Sequence, residues 1–171
     1  MAAGQTYTPI ASQTLSSNQA TVTFSSIPST YTDLVLIVTG YTNHTDNGAR
    51  GYIQFNTDTG SNTNYSDAYW GSTNATRLTS RDTNQAFIAY GVMGNTSTYP
   101  AMAIVNIQQY KNTSGFGTVL AWNGRYSDSN YGNRLTGGVW RNTAVIDTIT
   151  LKCDGSYVTG TSFELYGIAS A

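Results

Sequence analysis

Few side chains in this 171-residue chain could carry out acid, base or nucleophilic chemistry. His44 is the single histidine and Cys153 the single cysteine. A Ser-His-Asp triad would need His44, which lies among Asn and Thr residues with no motif around it. One histidine and one cysteine cannot hold zinc without several carboxylates. We therefore expect His44 at the surface, Cys153 in a buried strand, and neither an enzyme nor a cofactor or metal site.

The carboxylates leave two weaker hypotheses open. Glycoside hydrolysis needs two carboxylates facing one cleft, and the sequence does not give their spacing. Glu164 alternates with Phe163 and Leu165, so we expect it to face solvent or a neighbouring subunit. Three loop triplets could supply oxygen ligands to Ca²⁺, but Asx residues are also common turn formers and none of the triplets has EF-hand spacing. We favour turns at these triplets: Asp46-Asn47-Gly48, Asp58-Thr59-Gly60 and Asp128-Ser129-Asn130.

The aromatic residues could stack on sugar rings or fill a core and subunit contacts. Trp70 ends a candidate strand beside polar loops, so it is the best candidate for an exposed tryptophan. Trp122 and Trp140 lie inside candidate strands, where we expect them to be packed. Glycan binding remains possible on these grounds.

The low charge of the chain limits the classes of partner. Only 10% of the residues are charged and the net charge is -1, with the basic residues scattered singly. This pattern lacks the basic patch that nucleic acid or an anionic membrane requires. No segment approaches the ~18 apolar residues of a membrane span, and Met1–Thr8 lacks the features of a secretory leader. We expect synthesis in a cytoplasm and a working life in an assembly.

The strand pattern is organised around the apolar run Leu34–Val38, whose length and β-branching are typical of a strand buried on both faces. About ten short strands follow at near-regular spacing, separated by Gly/Asn turns, and no window has helical periodicity. The sequence predicts an all-β fold, an antiparallel β-sandwich resembling a jelly roll, with no substantial helix. We expect a flexible N-terminal arm over residues 1–8, a single domain over 9–171, and a bulge at Gly137-Gly138.

Three segments in order carry a resemblance to a known family. They are Ser25–Leu34 (SSIPSTYTDL), Ile53–Asn62 (IQFNTDTGSN) with Asn64-Tyr65-Ser66 after it, and Phe163–Ile168 (FELYGI). Together they resemble small virion proteins of tailed bacteriophages, notably cyanophages, which are capsid decoration (cement) proteins or tail-associated structural proteins. The family often has Gly where this chain has Thr57, so the loop there is expected to turn differently.

The resemblance implies a non-enzymatic β-sandwich that assembles, usually as a trimer, on the major capsid protein or another virion protein. It places the chain in a virion assembled in the host cytoplasm, on the capsid surface rather than the tail. A tail-fibre or tail-tip protein, or a carbohydrate-binding module for host recognition, is the alternative. We expect partner contacts in the loops Tyr41–Arg50, Thr57–Trp70 and Tyr126–Arg134. The candidate contact residues are Arg50, Tyr65, Trp70, Tyr126 and Tyr131.

Overall fold

A computed structural model of the chain describes residues 6–45, 49–71, 78–94, 100–125 and 132–169, without the side chains of 69–84 and 92. The described residues form twelve β-strands and no helix, so none of their segments is a helix that could span a membrane. The strands are β1 (Tyr7–Thr14), β2 (Gln19–Phe24), β3 (Asp33–Gly40), β4 (Arg50–Phe55), β5 (Thr63–Gly71), β6 (Leu78–Gln85), β7 (Ile88–Val92), β8 (Ala101–Gln108), β9 (Gly117–Arg125), β10 (Gly132–Trp140), β11 (Ile149–Tyr157) and β12 (Ser162–Ile168).

The strands form two sheets of unequal width. The large sheet has eight strands in the order β1-β12-β3-β8-β9-β10-β5-β6, and the small sheet has four in the order β2-β11-β4-β7. Every neighbouring pair in both sheets is antiparallel. The predicted all-β, antiparallel β-sandwich is confirmed.

The pairing of distant strands gives the sandwich its shape. β1 pairs with β12 and β3 with β8 in the large sheet, while β2 pairs with β11 and β4 with β7 in the small sheet. The first strand therefore lies beside the last, and successive pairs move inward along the chain. Two hairpins, β5–β6 and β9–β10, are additions that extend only the large sheet.

The predicted central strand lies inside the large sheet as β3, between β12 and β8. Leu34, Leu36 and Val38 face the small sheet with no exposed surface, because alternate residues of a strand point to the same side. Val35 is also buried, whereas Ile37 on the outer face is only partly buried. The large fully buried aromatic residues Trp140, Tyr90 and Phe55 complete the core.

The sequence also favours a short edge strand at Tyr7–Ile10, in which Pro9 limits pairing to one side. β1 begins at Tyr7, inside the predicted arm, and forms an edge of the large sheet with a register shift between Pro9 and Ala11. This position suits Pro9, which has no N–H to donate to a second neighbour. The polar composition of Ser72–Asn84 predicts a loop, but β6 begins at Leu78 within this stretch, because a hairpin at the sheet edge can form from polar residues.

Gly137 and Gly138 do not form the predicted bulge. β10 keeps continuous register with β9 and β5 across both residues. The two glycines instead face opposite sides. A Cβ at Gly138 would lie 2.7 Å from Cγ2 of the buried Ile88 in the small sheet, whereas a Cβ at Gly137 would meet no atom within 4 Å. The close approach of the two sheets is therefore the physical reason for Gly138, and it does not explain Gly137.

Thr57 adopts a left-handed backbone conformation with a φ of 53°, directly after Asn56 at 50°. This region favours glycine and is unusual for a β-branched residue. The turn after β4 therefore keeps a glycine-like conformation even though the chain has threonine there.

Because the two adjacent glycines face opposite sides of the sheet, we expect alanine to change the free energy of unfolding differently at each position. Gly138→Ala should lower the free energy of unfolding by about 1–3 kcal/mol, because the added methyl group overlaps Ile88 in a closely packed interface. Gly137→Ala should leave stability unchanged or raise it by up to about 1 kcal/mol, because it reduces the entropy of the unfolded chain without a clash. Urea unfolding of both variants checks this, and equal destabilisation would contradict the assignment of the two faces.

Candidate functional site

The residues that could do chemistry are not brought together. No group of three or more His, Cys, Asp or Glu in the described part of the chain could hold a metal ion. Cys153 lies partly buried in β11, packed against the core, and its burial, with a smaller contribution from Asp154, raises the pKa of its thiol to about 12. A thiol with so high a pKa is a poor nucleophile at neutral pH. The description therefore offers no nucleophile at this position.

Asp58 belongs to a turn, as the sequence favoured. Its Oδ1 accepts a hydrogen bond from the Gly60 N–H at 2.9 Å, and its Oδ2 accepts from Asn62 Nδ2 at 3.0 Å and from Trp140 Nε1 at 2.9 Å. These donors, Asn62 first among them, lower the pKa of the Asp58 carboxyl. The carboxylate joins the turn after β4 to the end of β10. The other two Asx triplets, at 46–48 and 128–130, lie outside the described residues.

Two of the predicted contact residues lie in a polar cluster between the sheets. Tyr65 is 5% exposed, so its selection as a partner contact is wrong. Arg50 is partly buried, and its Nη1 donates to the Tyr65 hydroxyl at 3.5 Å. On the same inner face, Arg134 and Asp67 form an ion pair at 3.2 Å in which both side chains are almost fully buried.

Asp154 of β11 binds Arg50 and Tyr52 of the neighbouring strand β4 within the small sheet. Its carboxylate accepts the backbone N–H of Arg50 at 2.9 Å and the hydroxyl of Tyr52 at 3.2 Å. Burial, and then the negative charge of Asp154, raises the pKa of Tyr52 to about 12. The Arg50–Tyr65 hydrogen bond holds the edge of the small sheet to the large one. On the same inner face, Thr136 Oγ1 and Arg125 Nε are buried without a hydrogen-bond partner among the described residues.

The remaining predicted contact residues fall outside the description. Trp70 has a described backbone in β5, opposite Asn133 of β10, but its side chain is not described. Tyr126 and Tyr131 both lie in 126–131, outside the described residues. Only Thr57–Asn62 of the predicted contact loop Thr57–Trp70 is a loop, because Thr63–Gly71 is β5. Likewise Gly132–Arg134 belongs to β10 and not to a loop.

The outer face of the large sheet carries the most prominent exposed apolar surface of the described residues. Strand registers place one row of side chains directly across β3, β8, β9, β10 and β5. This row consists of Ile37, Ile104, Trp122, Leu135 and Ala68. The next row along the strands consists of Val35, Asn106, Leu120, Gly137 and Ser66.

Trp122 is the centre of this face. It is 56% exposed, and its neighbours Met102 and Leu120 are 50% and 39% exposed. A groove of about 580 Å³ runs beside Trp122, lined also by Met102, Ile104, Gly124 and Asn133. None of the outward-facing side chains described on β8, β9 and β10 is charged. The acidic residue that comes closest in register is Glu164 on β12, next to Ile37.

Trp122 was expected to be packed inside the sandwich, and this prediction is wrong. Both faces of β9 are largely apolar, so alternation alone did not show which face turns inward. The signal that could have decided is residue size. Val119 and Ala121 are small and face the nearby small sheet, and Asn123 follows in the same phase with its Nδ2 bonded to the Met102 carbonyl at 3.0 Å.

Comparisons with known proteins do not assign a family. No protein-family model matches the chain, and no curated protein matches it in sequence. Among solved structures, exo-inulinase from Aspergillus awamori has a TM-score of 0.35 at 12% identity over 95% of this chain. This chain spans 29% of that protein. A protein of unknown function from Shewanella oneidensis MR-1 has a TM-score of 0.21 at 8% identity over 84% of this chain and 62% of its own. Likenesses this weak carry no argument about function.

The polar cluster predicts a loss of stability at alkaline pH. Tyr52 has a folded-state pKa of about 12 against an ordinary 10.0, so folding favours its protonated form. That contribution is complete below pH 10 and is lost as the pH rises from 10 to 12. Tyr52→Phe should lower the free energy of unfolding at pH 7 by about 1–2 kcal/mol, through the lost hydrogen bond to Asp154. It should also reduce the decline between pH 10 and 12.

The measurement is urea unfolding of both proteins at pH 7, 10 and 11.5. Tyr7→Phe is the matched control, because Tyr7 is 54% exposed at the sheet edge. If Tyr52→Phe and the parent protein lost stability in parallel above pH 10, other groups would be responsible.

Proposed function

We propose that this chain is a non-enzymatic structural protein of a phage virion, which binds the assembled head as a decoration protein. The observation that carries the proposal is the uncharged, apolar outer face around Trp122. Large exposed apolar patches on soluble proteins commonly mark interaction surfaces. The resemblance of the three segments to phage virion proteins supplies the kind of particle.

The strand pairing supports a jelly roll as the finer description of the sandwich. Eight strands pair as first with last, second with second-last and so on inward, when the hairpins β5–β6 and β9–β10 are set aside. This is the arrangement of one long hairpin rolled into two sheets, and jelly rolls are common in viral capsid proteins. Lectin domains share the fold, so the topology by itself does not select a function.

A decoration protein acts through linkage. A protein that binds the assembled shell and not the free subunits stabilises the shell by an amount set by its affinity and concentration. Many copies that are each weakly bound can act together when each assembly holds several binding sites. Such a protein needs no catalytic group, which agrees with the dispersed His44, Cys153 and Glu164.

Localisation on intact particles tests this proposal. A gold-labelled antibody against the chain, with cryo-electron microscopy of the same particles, should label the whole head at high copy number. An antibody blocked with the purified chain is the control. Label confined to the tail would replace the decoration role by a tail role, and particles without label would overturn the proposal.

A second candidate function is glycan binding in a tail fibre or tip protein. The specific observation is the half-exposed Trp122, which lies beside Asn133 in the groove on the outer face. An exposed indole can stack on a sugar ring while a neighbouring amide bonds to its hydroxyl groups. Trp122 therefore joins Trp70 as a candidate sugar platform.

If the protein binds glycans, the isolated protein should bind members of a glycan array. Trp122→Ala should weaken that binding at least tenfold, because the stacking surface is lost. Tyr7→Ala, which removes an equally exposed aromatic ring far from the groove, should bind normally. The array is repeated with all three proteins at one concentration. No binding by the parent protein would exclude this candidate for the glycans present.

A further inference from the structure

No contact among the described residues explains the glycine at position 137. It lies in the middle of β10, where glycine weakens a strand, and its backbone does not have a positive φ. A Cβ there would meet no atom within 4 Å. The missing side chain leaves a dent of about 210 Å³ on the outer face, bordered by Asn64, Ser66 and Val139. Glycine inside a strand often marks close approach by another molecule.

A protruding side chain lies beside this dent on the same face. Trp122 is paired with Leu135, two residues along β10 from Gly137. Strand dimensions place the two positions about 8 Å apart, from ~6.8 Å along the strand and ~4.8 Å across it. The face thus carries both a knob, the half-exposed indole of Trp122, and a hole, the dent at Gly137.

We propose that the outer face of the large sheet pairs with the same face of a second copy of this chain, with Trp122 of each copy seated in the Gly137 dent of the other. A two-fold axis in the plane between the faces, perpendicular to the line from Trp122 to Gly137 at its midpoint, makes both contacts at once. An interface of this kind is closed and uses one patch twice. It rests on the proposed function only in treating this face as an assembly surface.

Charge favours a second copy as the occupant. The described outward side chains of β8, β9 and β10 carry no charge, so the central strands of two identical faces meet without like-charge repulsion. A differently charged partner would find no complementary charge on these strands. The chain as a whole has a net charge of only -1, which adds little repulsion at longer range.

The size of the face is sufficient for a specific dimer. Five strands about 4.8 Å apart, each of about eight residues, give a footprint near 600 Å² on each copy, or ~1,200 Å² in total. That value is at the lower end of the range for stable protein interfaces. The apolar row through Ile104, Trp122 and Leu135 would occupy its centre, where hot-spot residues usually lie.

Sedimentation velocity over a range of protein concentrations tests the pairing. The parent protein should sediment as a dimer of twice 18.4 kDa. Trp122→Ala should weaken dimerisation by roughly 30-fold or more, because the central aromatic anchor is lost from both contacts. Gly137→Leu should do the same by filling the dent. Tyr7→Ala, at the far edge of the sheet, should dimerise like the parent.

A mixing experiment makes the test specific to the knob and the hole. In a mixed dimer of Trp122→Ala and Gly137→Leu, Trp122 of the second variant meets an intact Gly137 of the first. One native contact is then restored, so the mixture should form heterodimers at concentrations where each variant alone is monomeric. Urea unfolding should show that both single variants are folded, since Trp122 is exposed and Gly137 has open space.

Three results would overturn this inference. They are a parent protein that is monomeric at high concentration, a trimer as the family resemblance implies, or mixed variants that do not associate. Sedimentation with heads that lack the chain separates this inference from the proposed function. If a monomeric parent protein binds heads, the decoration role stands and the dimer is excluded. If the parent protein is a dimer that binds no head, the dimer stands and the decoration role is excluded.

Discussion

The fold depends on covering an eight-stranded sheet with a four-stranded one. The small sheet lies over the part of the large sheet that pairs β1, β12, β3 and β8, and there the inner residues are apolar and fully buried, as in Leu36, Val105 and Leu165. Beyond this region β7 lies over the added hairpins, contacting β9, β10 and β5. β4 also reaches them, through the contacts of Arg50 with Tyr65 and of Phe55 with Trp140. Glycine allows the β7 contacts, because Gly138 lies under Ile88 and a Cβ at Gly91 would overlap Asn123. The two sheets can approach closely only where side chains are absent.

The unequal widths of the two sheets also explain where the buried polar residues lie. From the strand β9 under β7 outward, the inner face of the large sheet changes from apolar to Asn123, Arg134 and Asp67. Buried charges must be paired, and the Arg134–Asp67 pair and the contacts of Asp154 with the Arg50 backbone and Tyr52 meet this requirement. Burial and the charge of Asp154 raise the pKa of Tyr52, and burial also raises the pKa values of Tyr90 and Tyr157 in the core. The Tyr52 hydrogen bond joins β4 to β11 within the small sheet, so its raised pKa accompanies a structural contact.

The fold class could be predicted from the sequence because alternation, turn residues and the β3 run all indicate the same architecture. What could not be predicted depends on contacts between distant strands. β6 was missed because an edge hairpin needs few apolar residues, and the pattern of β9 did not show which of its two apolar faces turns inward. Tyr65 is buried because the small sheet reaches over β5, and Trp122 is exposed because none of the described segments covers the outer face. Local pattern gives strands, while the width of each sheet decides which faces are covered.

An uncovered apolar face has physical consequences for how the protein behaves. Charged residues and short edges usually protect β-proteins from unwanted association, and this chain has few charges to use for that purpose. Exposure of Trp122, Met102 and Leu120 on a nearly neutral molecule favours association. We therefore expect a partner to cover this face in the working protein. If a second copy covers this face, the dimer exposes the other surfaces of both copies, so each of these surfaces is available twice to a further partner. On a repeating particle, two such surfaces could bind neighbouring subunits together, and weak contacts would then hold through avidity. The neutral face makes assembly favourable, and the proposed function would give that assembly a use on a repeating partner.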